Sequence, residues 1–148
     1  MEIKPKILAG NWKMNTSLQD GMRLANEVDK WVNGSTADPH VRVVLGVPFT
    51  HLTEIVGIVD YKRISVAAQN CAAYESGAFT GEVSAEMIKS TGAHYCIIGH
   101  SERRHIFKEN YADLKAKVDI SLKNAVRPIF CVGESLTERN ANKQFDVV

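Results

Sequence analysis

Five runs of the chain are apolar at consecutive rather than alternate positions: Lys6–Asn11, Val41–Val47, and residues 64–69, 94–99 and 127–133. A strand that is apolar on both faces belongs in a parallel sheet covered from both sides, and parallel neighbours need a long crossover between them. The intervening segments supply it. Thr16 or Ser17 suits the cap of a helix running to about Val32, with Leu18, Met22, Ala25, Val28 and Val32 as its apolar stripe and Asn33-Gly34 as its stop. Residues 35–40 read as a polar turn. Thr50 suits the cap of a second helix to about Val59, and Pro48 ends the strand before it. Ser84 caps a third helix to Ser90, stopped by Gly92. A fourth runs from Asn110 to about Asn124, and residues 136–148 read as helical. Strand and helix thus alternate five times, which is an α/β architecture with five parallel strands. Two layouts fit that pattern, a doubly wound open sheet or part of a (β/α) barrel, and periodicity does not separate them.

Composition narrows the class of partner. The 148 residues carry a net charge of +1, so no basic field points to nucleic acid or to an anionic membrane. No apolar run approaches the roughly 20 residues that span a bilayer, and no signal-peptide core follows the charged N-terminus. Cys71, Cys96 and Cys131 are odd in number and far apart. Cys96 and Cys131 lie inside apolar runs and read as buried thiols, which favours a reducing, cytoplasmic setting.

The chemistry-bearing side chains fall where strands end. Asn11 and Lys13 follow the first strand, Gln69 and Asn70 the third, His100 and Glu102 the fourth, Glu134 and Ser135 the fifth. Strand exits of a parallel α/β fold share one face, where active sites form. The first exit lacks the glycine pattern of a dinucleotide site, which lowers that reading. In Ile97-Ile98-Gly99-His100-Ser101-Glu102-Arg103-Arg104, a buried strand stops, turns and starts a helix. Ser101 suits the helix cap and Glu102 its first turn. His100 then sits where the helix N-terminus opposes its positive charge and favours a neutral, hydrogen-bond-donating ring. A lysine at such an exit can neutralise an anion or a developing oxyanion, and a neutral histidine can polarise a carbonyl and pass protons between oxygens. From these residues alone, Lys13 reads equally well as a solvated loop lysine.

Ala9-Gly10-Asn11-Trp12-Lys13-Met14-Asn15, Gln69-Asn70, Gly77-Ala78-Phe79-Thr80-Gly81-Glu82, Ile98-Gly99-His100-Ser101-Glu102-Arg103-Arg104 and Cys131-Val132-Gly133-Glu134, in this order and spacing, resemble the triosephosphate isomerase family. The resemblance covers essentially the whole chain. It implies a partial TIM (β/α)8 barrel. By position, Asn11 and Lys13 match the family's substrate-binding asparagine and lysine, and His100 matches its electrophilic histidine. A neutral histidine in that role is an already established case for this very family, so the two arguments about His100 are not independent. Glu102 matches an active-site acid beside Lys13. The Thr80 loop, Met14 and Asn15 match the contact surface of a homodimer, and Glu82 and Arg103 match a charge pair across it. The implied reaction interconverts dihydroxyacetone phosphate and D-glyceraldehyde 3-phosphate, a step of glycolysis and gluconeogenesis. It runs through an enediol(ate) without metal or organic cofactor.

The resemblance also sets an expectation about extent. Such a barrel has eight strands and about 250 residues; residues 1–148 match its N-terminal (β/α)5 portion. The family's glutamate base follows strand six, and its phosphate site is built from that exit and those after strands seven and eight. Three readings follow. The chain is the N-terminal part of an isomerase and inactive by itself; it is a non-catalytic partial barrel that self-associates or assembles with a complementary fragment; or it is another phosphate-binding (β/α) barrel protein. In residues 1–148 alone the first and fifth strands would be open edges, so that the chain by itself is expected to be partly disordered or held by self-association.

Overall fold

The computed structural model describes residues 6–34, 38 and 40–148. Most of the polar turn expected over residues 35–40, and the N-terminal residues 1–5, lie outside them. Five strands form one sheet: β1 (Lys6–Asn11), β2 (Val41–Val47), β3 (Ile64–Ala68), β4 (Tyr95–Ile98) and β5 (Arg127–Phe130). Their spatial order is β1-β2-β3-β4-β5, and every neighbouring pair is parallel. A doubly wound sheet reverses its strand order at a switch point. This sheet never does, so of the two layouts left open by periodicity it is the half-barrel, a partial TIM barrel, that forms.

The crossovers are α1 (Leu18–Gly34), α2 (Leu52–Ile58) after a 3-10 turn at Phe49–His51, α3 (Ala85–Ser90), and α4 (Ser101–His105) with α5 (Tyr111–Lys123). Two short helices, α6 (Leu136–Asn140) and α7 (Gln144–Val147), follow β5. Alternation within the strands sorts the core into two sides. Val43, Leu45, Val47, Ile64, Val66, Ala68, Cys96 and Ile98 pack with the helical residues Ala25, Leu52, Ile55, Ile88 and Leu114. Val44, Ala67 and Tyr95, with Ile129 against them, form a small cluster on the other side. Gly46 belongs to that side: a Cβ there would lie 2.8 Å from Ile97 Cδ1. The helix-covered side therefore holds most of the buried area, and each buried Leu or Ile there is worth about 1.5–3 kcal/mol of transfer free energy.

The edges are open. All six residues of β1 are exposed, Ile7 and Leu8 among them, and Phe130 of β5 is 45% exposed. Polar burial is concentrated under α5. Lys117, 5% exposed, donates from Nζ to Asn70 Oδ1 at 2.8 Å and pairs with Glu109 Oε1 at 2.5 Å. Arg103 Nε reaches the same carboxylate oxygen at 2.5 Å. The three cysteines are free thiols; Cys71 and Cys96 are buried and Cys131 only half-buried, which corrects the expectation of a buried thiol at Cys131. It follows an edge strand and lacks a neighbour on one side. The hydrogen bond shared with Cys71, and then burial, push the Cys96 thiol up.

Several boundaries differ from the sequence reading. Thr50 does not cap α2. His51 occupies the cap position without a side-chain bond, and the Thr50 hydroxyl lies 2.8 Å from His51 Nδ1 instead. Ser17, not Thr16, receives the Asp20 N–H, at 3.3 Å, while Thr16 is left-handed at φ 72°. Residues 136–148 form two helical turns rather than one helix, interrupted at Asn142, whose φ is 56°. Asparagine tolerates that conformation better than most residues.

Candidate active site at the strand exits

The exit of β1 is held in a strained shape. Lys13 is left-handed, with φ 57°. A lysine gains nothing locally from that conformation, so surrounding bonds must fix it. They do so on both sides of the residue. Lys13 N–H donates to Asn11 Oδ1 at 2.9 Å, and the Lys13 carbonyl accepts from Gln69 Nε2 at 2.8 Å. Gln69 Nε2 also donates to the Gly46 carbonyl at 3.0 Å, and Trp12 N–H donates to that carbonyl at 2.8 Å. The exits of β1, β2 and β3 are thus tied together, and Lys13 is aimed toward the exit of β4.

At that exit His100, not Ser101, is the cap of α4. Its φ and ψ are −54° and 143°, and its Nδ1 accepts the Glu102 N–H at 3.3 Å. The extended residue comes one position earlier than expected, so the imidazole takes the role assigned to the hydroxyl. An Nδ1 that accepts leaves the ring proton on Nε2, an assignment made from the hydrogen bond. The five-residue α4 is too short for a sizeable macrodipole; one backbone N–H does the work instead.

Glu102 joins the two exits. Its Oε1 lies 2.9 Å from Lys13 Nζ, and its backbone N–H is the donor to His100 Nδ1. The Lys13 hydrogen bond holds the Glu102 carboxyl below the ordinary glutamate value, against a smaller opposing effect of burial. Glu134, at the exit of β5, is also held low, first by its backbone hydrogen bond and then by Arg139, whose Nε donates to it at 2.6 Å. The structure therefore brings Asn11, Lys13, His100 and Glu102 together, with Glu134 on the next exit.

The residues assigned to a subunit contact lie elsewhere. Met14 is 96% exposed, and Asn15, Thr80 and Glu82 are exposed. Asn15 Nδ2 donates to the Trp12 carbonyl at 2.7 Å. In the Thr80 loop, Tyr74 and Phe79 stack with centroids 3.9 Å apart. Arg103 is half-buried on Glu109 of its own chain. Among the described residues no helix is long and apolar enough to cross a membrane, and no group of three or more His, Cys, Asp or Glu could hold a metal ion.

Two contributors escaped the sequence reading. Gln69 is visible in the sequence as a polar strand-exit residue and as part of a motif; its grip on the Lys13 carbonyl spans 56 positions. Arg104 was visible only as part of a motif. Its Nε donates to the Gly99 carbonyl at 2.7 Å and an Nη to the Cys131 carbonyl at 2.8 Å.

A parallel sheet in sequential order, with a lysine at the β1 exit linked to a glutamate and an Nδ1-accepting histidine at the β4 exit, defines a segment of a (β/α) barrel. Comparison with known proteins narrows this. The family model described as triosephosphate isomerase matches residues 6–148. Triosephosphate isomerases of Porphyromonas gingivalis, Phocaeicola vulgatus and Bacteroides fragilis are 53%, 51% and 50% identical to the chain over 146 residues, 99% of its length. The chain belongs to the triosephosphate isomerase family. It spans 57% of the length of those relatives.

Proposed function

We propose that the whole protein is a triose-phosphate isomerase that interconverts dihydroxyacetone phosphate and D-glyceraldehyde 3-phosphate, and that residues 1–148 supply its electrophilic half. The observation that carries this reading is the joining of Lys13 and His100 through Glu102. A carbonyl oxygen placed between the Lys13 ammonium and the His100 Nε2–H has two donors aimed at the charge it gains when a proton leaves the neighbouring carbon. His100 then moves a proton between the two oxygens of the enediol(ate), Asn11 helps hold the substrate, and Glu102 orients Lys13 and His100. No metal or organic cofactor enters this scheme.

The base that removes the carbon-bound proton lies outside residues 1–148 in this reading. A general base works best with a pKa near the working pH, whereas Glu102 is held low by Lys13, and Glu134 by its backbone hydrogen bond and then by Arg139. The 148-residue chain alone is therefore inactive. The exposed Met14, Asn15, Thr80 and Glu82 serve the homodimer of the whole protein, where Arg103 stands beside Glu82 of the partner. The free thiols fit a cytoplasmic setting.

A second reading, a non-catalytic partial barrel that self-associates or pairs with a complementary fragment, draws on the fully exposed β1. A coupled isomerisation assay on the whole protein separates the two. The first expects turnover that falls roughly 10²- to 10⁴-fold in His100→Gln; absence of turnover in the intact, folded protein would leave the second.

A further inference from the structure

We propose that Arg104 is the positioning residue of this site: one guanidinium ties the β4 exit to the β5 exit, and so holds His100 in its Nδ1-accepting orientation. This role rests on the isomerase reading above.

The backbone ladder between β4 and β5 makes its last bond from Cys131 N–H to the Ile98 carbonyl, at 2.9 Å. Beyond it the two chains part, one toward His100 and the other toward Glu134. Arg104 spans the gap with its bonds to the Gly99 and Cys131 carbonyls, at 2.7 and 2.8 Å. The Gly99 carbonyl belongs to the peptide that carries the His100 nitrogen, so fixing that carbonyl fixes the plane from which His100 starts. Gly99 itself has φ 73°, and a Cβ there would stand 2.8 Å from an Arg104 Nη. Glycine is required both by the conformation and by the guanidinium.

The guanidinium is spent on this task. Among the described residues it makes no ion pair; its charge is met by the two carbonyls and by the Phe130 and Tyr111 rings, 5.4 and 5.9 Å from its carbon. Two acceptors on separate strand exits call for a rigid planar fork, which arginine has and lysine lacks. Arg104 is also the return strut of α4. Its side chain runs back to the residue before the helix cap, while its N–H reaches the His100 carbonyl at 3.2 Å. Both ends of the His100 backbone are therefore held by one residue.

The test uses the whole protein with Arg104→Lys and Arg104→Met, beside the parent and His100→Gln. Two readouts are taken: steady-state kinetics, and the imidazole nitrogen NMR signals of His100, which report its tautomer without turnover. The expected result is a kcat about 10- to 100-fold lower with KM little changed, and a His100 spectrum that shifts from the Nε2–H tautomer to a mixture. Arg104→Lys keeps the charge and reaches one carbonyl at a time; it should lie between parent and Arg104→Met, and it serves if Arg104→Met does not fold. A folded Arg104→Lys with parental kcat and an unchanged His100 tautomer would overturn the proposal. A parent without turnover would sink the isomerase reading instead, and the tautomer readout would still decide whether Arg104 orients His100.

Discussion

Lys13, Glu102 and His100 show how far a strand-exit argument reaches. All three stand at the ends of apolar runs, and the structure joins them through the Lys13–Glu102 ion pair and the Glu102 N–H on His100 Nδ1. The sequence does not show which atom caps α4, because a cap depends on where the backbone leaves the helix, and both His100 and Ser101 carry suitable acceptors. Gln69 and Arg104 were illegible as positioning residues for another reason: each acts on a distant backbone carbonyl, and no local pattern records such a bond. One consequence is testable by titration. Glu102 has its folded pKa depressed by Lys13, so its ion pair is complete above the ordinary value of 4.5 and is lost only as pH falls through the lower folded value. In Lys13→Met the Glu102 carboxyl should titrate higher, closer to 4.5, as followed by carboxyl-carbon NMR. An unchanged titration would mean that Lys13 does not hold it.

Elements followed the sequence where signals were redundant. β1 and β2 have the expected bounds, Ser84 caps α3 as read, and Asn110, read as the start of the fourth helix, is the cap of α5. β3, β4 and β5 are shorter than their apolar runs. Apolarity marks burial, and residues such as Cys131 continue the run after the ladder has ended, their carbonyls taken by a side chain instead. Capping strength can be checked at Asn110. Its Oδ1 accepts from Ala112 and Asp113 N–H, at 2.8 and 3.1 Å, and Asp113 returns a bond to the Asn110 N–H at 3.0 Å. Asn110→Ala should cost about 1 kcal/mol in the denaturant unfolding of the whole protein. Ser101→Ala should cost little by comparison, since the hydroxyl does not cap α4; equal losses would contradict the cap assignment.

Among the described residues the chain is a parallel half-barrel with β1 and β5 as its edge strands. The class was legible because strand and helix alternate five times; the choice between barrel and open sheet was not, because strand order leaves no periodic trace. An exposed β1 carrying Ile7 and Leu8, with Phe130 on the opposite edge strand, is a template for further pairing. Residues 1–148 expressed alone should therefore associate or bind a hydrophobic dye, as light scattering and dye fluorescence would report; a monodisperse monomer that binds no dye would show that the edges need no cover. The central claim, that this segment holds the electrophilic half of an isomerase and lacks its base, is tested most directly by complementation. Purified residues 1–148 are assayed alone and after mixing with a fragment carrying the C-terminal three β/α units of a relative. The account expects no turnover alone, turnover on mixing, and its loss when the first fragment carries His100→Gln. Turnover by residues 1–148 alone, or turnover on mixing that survives His100→Gln, would contradict it.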